Sequence, residues 1–323
     1  MPSTRDIQRR IKSVTSTKKI TRAMEMVAAA KMRKAVESVL KTRTYANLSW
    51  TTILNLSQAV GVDHPLLKKD IEVKTGEKKK VAIILIASNR GLCGGLNTNI
   101  INKAHKSVVK HDKDQGNYCE TEFIIIGKKA NAVNRYYNYN IVAEFSKEDT
   151  VSEIKEVYPI SKMIVSDFLS GKYNKVMVAY TDFVNASKQI PRVKQLLPVD
   201  ISTQDEFLGI VGGDTRVGLD QSFAKEKQEK YLHDEKYSYE YTFEPSPREV
   251  LDQMIPRLIE VQLFQALLES NASEHSARMA AMHQANDAAN ELVDELTLYY
   301  NKARQASITN EIAEIAAGAE AIA

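Results

Sequence analysis

With 323 residues, of which 43% are hydrophobic, the chain can build a sizeable core, which excludes a disordered protein. Only 13 Gly and 8 Pro over that length disfavour a turn-rich all-β fold and favour long helices. The formal charge of +3 names no partner, but residues 1–43 hold twelve basic groups against three acidic ones, a local +9 that leaves −6 for the rest. A basic segment on a mildly acidic body is suited to meet nucleic acid, lipid head groups or acidic protein loops; the plain alternative is a solvated helix face.

From about Pro2 to Val60 the pattern is helical, with no Gly or Pro between Ser3 and Val60 and with Ser3 or Thr4 as N-cap. Ile7, Ile11 and Val14 share one face. Ile20, Met24 and Val27 form a second set, displaced as by a stutter in a coiled coil. Ala28, Ala29 and Ala30 allow close approach of a partner helix. Such a helix would reach roughly 80 Å at 1.5 Å per residue.

From about Lys78 to Glu244 strand-like and helix-like stretches alternate. Val81–Ser88, Glu122–Gly127, Ile141–Phe145 and Lys175–Thr181 are short, apolar and β-branched, while Asn97–Asp112 and Val151–Leu169 are amphipathic. This predicts a mainly parallel sheet covered by helices. Residues 204–236 break the rhythm with Gly209, Gly212, Gly213 and Gly218 and then a charged run, as an inserted surface excursion would.

The last helix is expected to begin at Pro247, behind Ser246, with a kink at Pro256. Met282, Ala285, Ala289, Leu292, Leu296, Tyr299, Ala303 and Ala306 follow at steps of three and four, the seam of a left-handed coiled coil. A second seam, Ile308, Ile312, Ile315, Ala319 and Ile322, starts after a register shift. Chain order makes the two long helices antiparallel. The second is longer by about twenty residues, an overhang of roughly 25–30 Å. Its apolar seam has no partner within the chain and calls for a hydrophobic sleeve from another protein. The expected division is 1–60, 61–246 and 247–323.

Catalytic motifs are weak. Ser88, Asn89, Arg90, Gly91, Leu92, Cys93, Gly94 and Gly95 follow a strand as a phosphate loop would, but neither G-x-G-x-x-G nor Gly-Lys-Ser/Thr is present, and tight strand-to-helix packing is the better account. Cys93 and Cys119 match no redox or zinc spacing, and the six histidines make no ligand cluster, so neither metal nor cofactor is expected. The longest purely apolar run is the seven residues Val81 to Ala87, against the roughly 20 that cross a bilayer. Membrane association would be peripheral, without insertion.

Three stretches in order then carry a resemblance that covers nearly the whole chain: Lys18-Lys19-Ile20-Thr21-Arg22-Ala23-Met24-Glu25-Met26-Val27-Ala28-Ala29 with Lys31-Met32-Arg33-Lys34; Asn89-Arg90-Gly91-Leu92-Cys93-Gly94-Gly95-Leu96-Asn97; and Tyr300-Asn301-Lys302-Ala303-Arg304-Gln305-Ala306-Ser307-Ile308-Thr309-Asn310-Glu311, with Glu314, Gly318 and Ala319. They resemble the gamma subunit family of rotary, F-type ATP synthases. The resemblance implies a Rossmann-like α/β domain between two long terminal helices in an antiparallel left-handed coiled coil. It implies a non-catalytic shaft inside a ring of alpha and beta subunits, with its foot beside the epsilon subunit on an ion-driven c-ring.

Carried over residue by residue, the resemblance implies that Lys19, Arg22, Met24, Lys31, Arg33 and Lys34 face acidic loops of beta subunits, and that Arg304, Gln305, Thr309 and Glu311 contact a coupling loop of beta. The seam Ile308, Ile312, Ile315, Ala319 and Ile322 is then a hydrophobic bearing. The 204–236 stretch stands where photosynthetic relatives carry a cysteine pair and here holds no Cys, so thiol control is not supported. A Met start without an Arg/Ser-rich presequence points to a bacterium and to the cytoplasmic side of its inner membrane. Two rivals remain at this point: a nucleic-acid-binding arm, disfavoured by the scarcity of aromatics on the basic face, and a nucleotide-binding enzyme with helical arms.

Overall fold

Strand β1 (Lys79–Ile86) shows how the middle of the chain folds. Its side chains alternate between two cores: Ala82, Ile84 and Ile86 enter one, while Val81, Ile83, Leu85 and the following Ala87 enter the other. Period-2 alternation with apolar residues on both faces is what a central strand of a covered sheet requires. In the computed structural model, residues 3–60, 64–67, 79–114, 119–149, 153–199, 244 and 246–320 are described. The 204–236 excursion and Ile322 lie outside them.

The sheet has five strands in the order β3-β2-β1-β4-β5. β2 (Cys119–Ile126), β3 (Asn140–Phe145) and β4 (Lys175–Phe183) are joined in parallel with β1, and β5 (Gln189–Leu197) runs antiparallel to β4. Ile100, Ile101, Ala104 and Val108 of α2 (Leu96–Asp114) and Val133 of α3 (Ala132–Tyr137) cover one face. Ile160, Ile164 and Phe168 of α4 (Tyr158–Leu169), at helical spacing, share the other with residues of the two long helices. The expected mainly parallel α/β sheet is present. The helix read from Val151 begins instead at Tyr158, after a 3-10 turn at Ile154–Glu156. β5 and the short α3 were not foreseen.

The long helices are α1 (Thr4–Val60) and α5 (Pro247–Glu320). Each opens with a serine cap: Asp6 N donates to Ser3 Oγ (3.3 Å), and Glu249 N donates to Ser246 Oγ (3.3 Å) while the Ser246 hydroxyl returns to the Glu249 carboxylate (3.0 Å). Helix α5 runs on through Pro256. The chain separates into two compact units, Met1–Ala29 with Arg278–Ala323, and Ala30–Ala277, so each long helix contributes to both.

In the Ala30–Ala277 unit, every side chain of α5 from Val261 to Ser276 is buried. In the other unit the two helices pair antiparallel: Glu25 meets His283 (3.2 Å), and Ile7 lies among Leu296, Tyr299 and Ala303. The inward positions correct the sequence reading. On α1 they run through Ile7, Ile11, Val14, Lys18, Thr21, Glu25 and Ala28 at unbroken steps of three and four, while Ile20 and Val27 are exposed. There is no stutter; a polar stretch of seam, not a slip, follows Val14. On α5 the inward set is Met282, Asn286, Ala289, Val293, Leu296, Tyr300 and Ala303, with Leu292 and Tyr299 on the flank. Adjacent apolar pairs, Leu292-Val293 and Tyr299-Tyr300, satisfy either register, so apolarity could not choose between them.

Candidate functional site

The basic face of α1 is built by heptad geometry. With the inward positions taken by Thr21 and Ala28, the neighbouring Ile20 and Val27 point out, with Met26 beside them and Lys19 exposed next to Ile20. Met24 is half-buried. Arg22 is exposed and paired with Glu25 (2.9 Å). Further along, Arg33 and Lys34 are exposed, but Lys31 turns inward to Asp149, Nζ to Oδ2 3.1 Å. The surface is therefore mixed, cationic with an apolar stripe. Sequence reasoning missed the stripe, although continuing the heptad from Ile7 through Val14 leads straight to it.

The end of α5 is the second surface. From Arg304 to Ala317, and again at Ala319, all side chains are exposed. Ile308, Ile312 and Ile315 are 47%, 62% and 72% exposed, an apolar row that nothing among the described residues covers. Helix α1 begins near Ala306, so the free stretch to Glu320 measures roughly 20 Å. Arg304, Gln305, Thr309 and Glu311 all lie on or beside it; Thr309 Oγ1 returns to the Gln305 carbonyl (2.9 Å), and the Ser307 hydroxyl meets the Glu311 carboxylate (3.3 Å). An open apolar groove of about 800 Å³ adjoins, lined by Ile7 of α1 and by Leu292, Leu296, Tyr299 and Ala303 of α5.

The third arrangement is the C-terminal edge of the sheet, where ligands bind in many open α/β folds, at the point where strand order reverses. Here α5 crosses it. Ser273 Oγ donates to the Thr181 carbonyl at the end of β4 (3.0 Å), and Ser276 Oγ to the Ala186 carbonyl (2.7 Å). Next to these, Glu274 forms a buried ion pair with Lys147, which follows β3 (2.7 Å). The glycine-rich loop packs at the same edge. Asn97 receives the Ser88 N–H (3.0 Å) and donates to Cys93 Sγ (3.3 Å), and Cys93 is buried, which is strand-to-helix packing. Gly94 sits at φ +57. The Lys31 ammonium, bonded to Asp149 and aided by Arg90 and His275, holds that carboxyl below the usual aspartate range. Among the described residues, no group of three or more potential metal ligands occurs, and no helix is long and apolar enough to cross a membrane.

Comparison with known proteins agrees with this geometry. The family model described as ATP synthase matches residues 3–322. The chain is 40% identical over 324 residues to the ATP synthase gamma chain of Roseiflexus sp. (strain RS-1), covering 100% of this chain and 99% of the relative. It is 36% identical to the ATP synthase gamma chain of Haemophilus influenzae (strain ATCC 51907 / DSM 11121 / KW20 / Rd), with 100% of both covered. A chain in the Euglena gracilis mitochondrial ATP synthase OSCP/F1/c-ring structure is similar in fold, with a TM-score of 0.61, 18% identity, and 99% and 94% of the two chains covered. One in the Tetrahymena thermophila mitochondrial ATP synthase central stalk/c-ring structure gives 0.55 and 21%, covering 82% and 99%.

Proposed function

This chain belongs to the ATP synthase gamma-chain family, and on that premise we propose that it is the rotor shaft of a rotary enzyme, carrying torque between an ion-driven c-ring and a catalytic ring of alpha and beta subunits. The observation that supports it best is the free end of α5: Ile308, Ile312 and Ile315 stand exposed on a helix that has outrun its partner. Such a row is suited to turn inside a sleeve of apolar side chains, to which Ala319 and Ile322 would extend it. Arg304, Gln305, Thr309 and Glu311 then meet a beta loop from the flank. The cationic face with Lys19, Arg22, Met24, Lys31, Arg33 and Lys34 meets acidic loops of beta; the Lys31 ammonium, about a third exposed, also pairs with Asp149. Exposed ion pairs contribute at most about 1 kcal/mol each, which suits a contact that must form and release with every step.

On this reading the α/β domain is the foot, set with the epsilon subunit on the c-ring at the cytoplasmic face of a bacterial membrane, and the catalytic residues belong to the ring. Its sheet edge, filled by α5, works as a joint. Mixing the chain with alpha and beta subunits from the same cell is expected to give a 3:3:1 complex with ATPase activity. A chain that stays out of the complex, or a ring whose composition and activity ignore it, would sink the proposal.

A further inference from the structure

Resting on the rotor reading above, we propose that the segment 147–149 is a clamp that fixes the rotational register of both long helices on the sheet, and that Lys147, Asp149 and Glu274 are positioning residues for torque transmission. Four polar ties leave the segment 147–149. The Lys147 ammonium bonds Glu274 of α5 (2.7 Å), and the Lys147 carbonyl accepts from Asn89 in the loop after β1. The Asp149 carboxylate bonds Lys31 of α1 (3.1 Å), and the Asp149 carbonyl accepts from the His275 ring of α5 (3.0 Å). One short segment thus holds α1, α5 and the central strand together.

Position along the chain gives these ties their meaning. Their unit runs from Ala30 to Ala277, so Lys31 on α1 and Glu274 and His275 on α5 sit where the two helices leave it. Apolar packing of α5, through Val261, Leu263, Phe264, Ala266, Leu267 and Leu268, is non-directional, whereas the turn that follows buries polar side chains from Glu269 to Ser276. A side chain bonded to one fixed partner resists rotation about the helix axis directly. The Lys147 and Glu274 side chains are 2% and 6% exposed. A pair buried so deeply is poor evidence for stability, because apolar residues of equal volume often serve as well, but it does specify one arrangement over its neighbours. Ser273 and Ser276 tie the same turn of α5 to the end of β4.

The test uses the holoenzyme in membrane vesicles, with ATP-driven proton and sodium uptake measured per ATP hydrolysed. In Lys147→Met/Glu274→Leu, which removes both charges of the pair together, uptake per ATP is expected to fall about threefold or more. ATPase rate, assembly and melting temperature stay as in the parent. Asp149→Asn, which weakens the α1 tie and leaves Lys31 in place, is expected to lower the ratio about twofold. An unchanged ratio in both variants overturns the clamp. So does a ratio that falls only in step with melting temperature or with the amount of chain assembled. If the double variant does not fold, Asp149→Asn decides alone, since its carboxylate is 39% exposed and its loss does not threaten the core. Parent vesicles that show ATP-driven uptake of neither ion would count against the rotor reading itself, which keeps the two failures apart.

Discussion

Gly127 stands where β2 turns back under the end of β1, at φ +94, and a Cβ there would lie 2.3 Å from the Ala87 carbonyl oxygen. Backbone on one side and a left-handed conformation on the other leave no room to relax. Gly127→Ala is expected to cost roughly 3 kcal/mol, read from urea unfolding of the isolated chain. Asp149 gives a residue-scale prediction in pH. Its folded carboxyl titrates below the unfolded value of about 3.9, so the contribution is complete above that pH and is lost as pH falls through the lower folded value. Following the Asp149 carboxyl by carbon-13 NMR should show it still ionised where exposed aspartates are half protonated, and Lys31→Ala should return it to the ordinary range. Neither position was legible beforehand. Gly127 ends an apolar run as many strand-end glycines do, and the partner of Lys31 is 118 residues away.

At the scale of elements, legibility followed burial. β1 and β2 are apolar on both faces, so their runs were found to within a few residues. β5 is an edge strand with Pro191, Arg192, Lys194 and Gln195, a composition that hides a strand although it is what an edge tolerates. The α5 seam was found at Met282, Ala289, Leu296 and Ala303, while the positions between them fell one residue short, because flanking Leu292 and Tyr299 score as well as inward Val293 and Tyr300. The same logic isolates the free end of α5. Residues 308–317 are all exposed, so truncation from Ile308 should leave the unfolding midpoint of the α/β domain unchanged while weakening assembly with alpha and beta. Loss of the domain's own cooperative unfolding would show that the end of the helix is not a separate element.

At the scale of the molecule, the histidines show how chemistry-bearing residues were redistributed into structural work. His275 is a buried tie to Asp149, and His283 bridges to Glu25 across the helix pair. On the proposed contact of the cationic α1 face with acidic loops, assembly is salt-sensitive, and the rate of complex formation should fall as ionic strength rises through the range where the screening length approaches about 8 Å. By itself the sequence determined the two long helices, the α/β alternation between them, the charge asymmetry and the unpaired apolar end, because these rest on periodicity and composition, which are local. Only the tertiary structure decided which of two adjacent apolar residues faces inward, that Ile20 and Val27 are surface, and that residues 31, 89, 147, 149 and 274 meet at one sheet edge. Those outcomes depend on which groups the fold brings together across more than a hundred residues, and no short-range pattern encodes that.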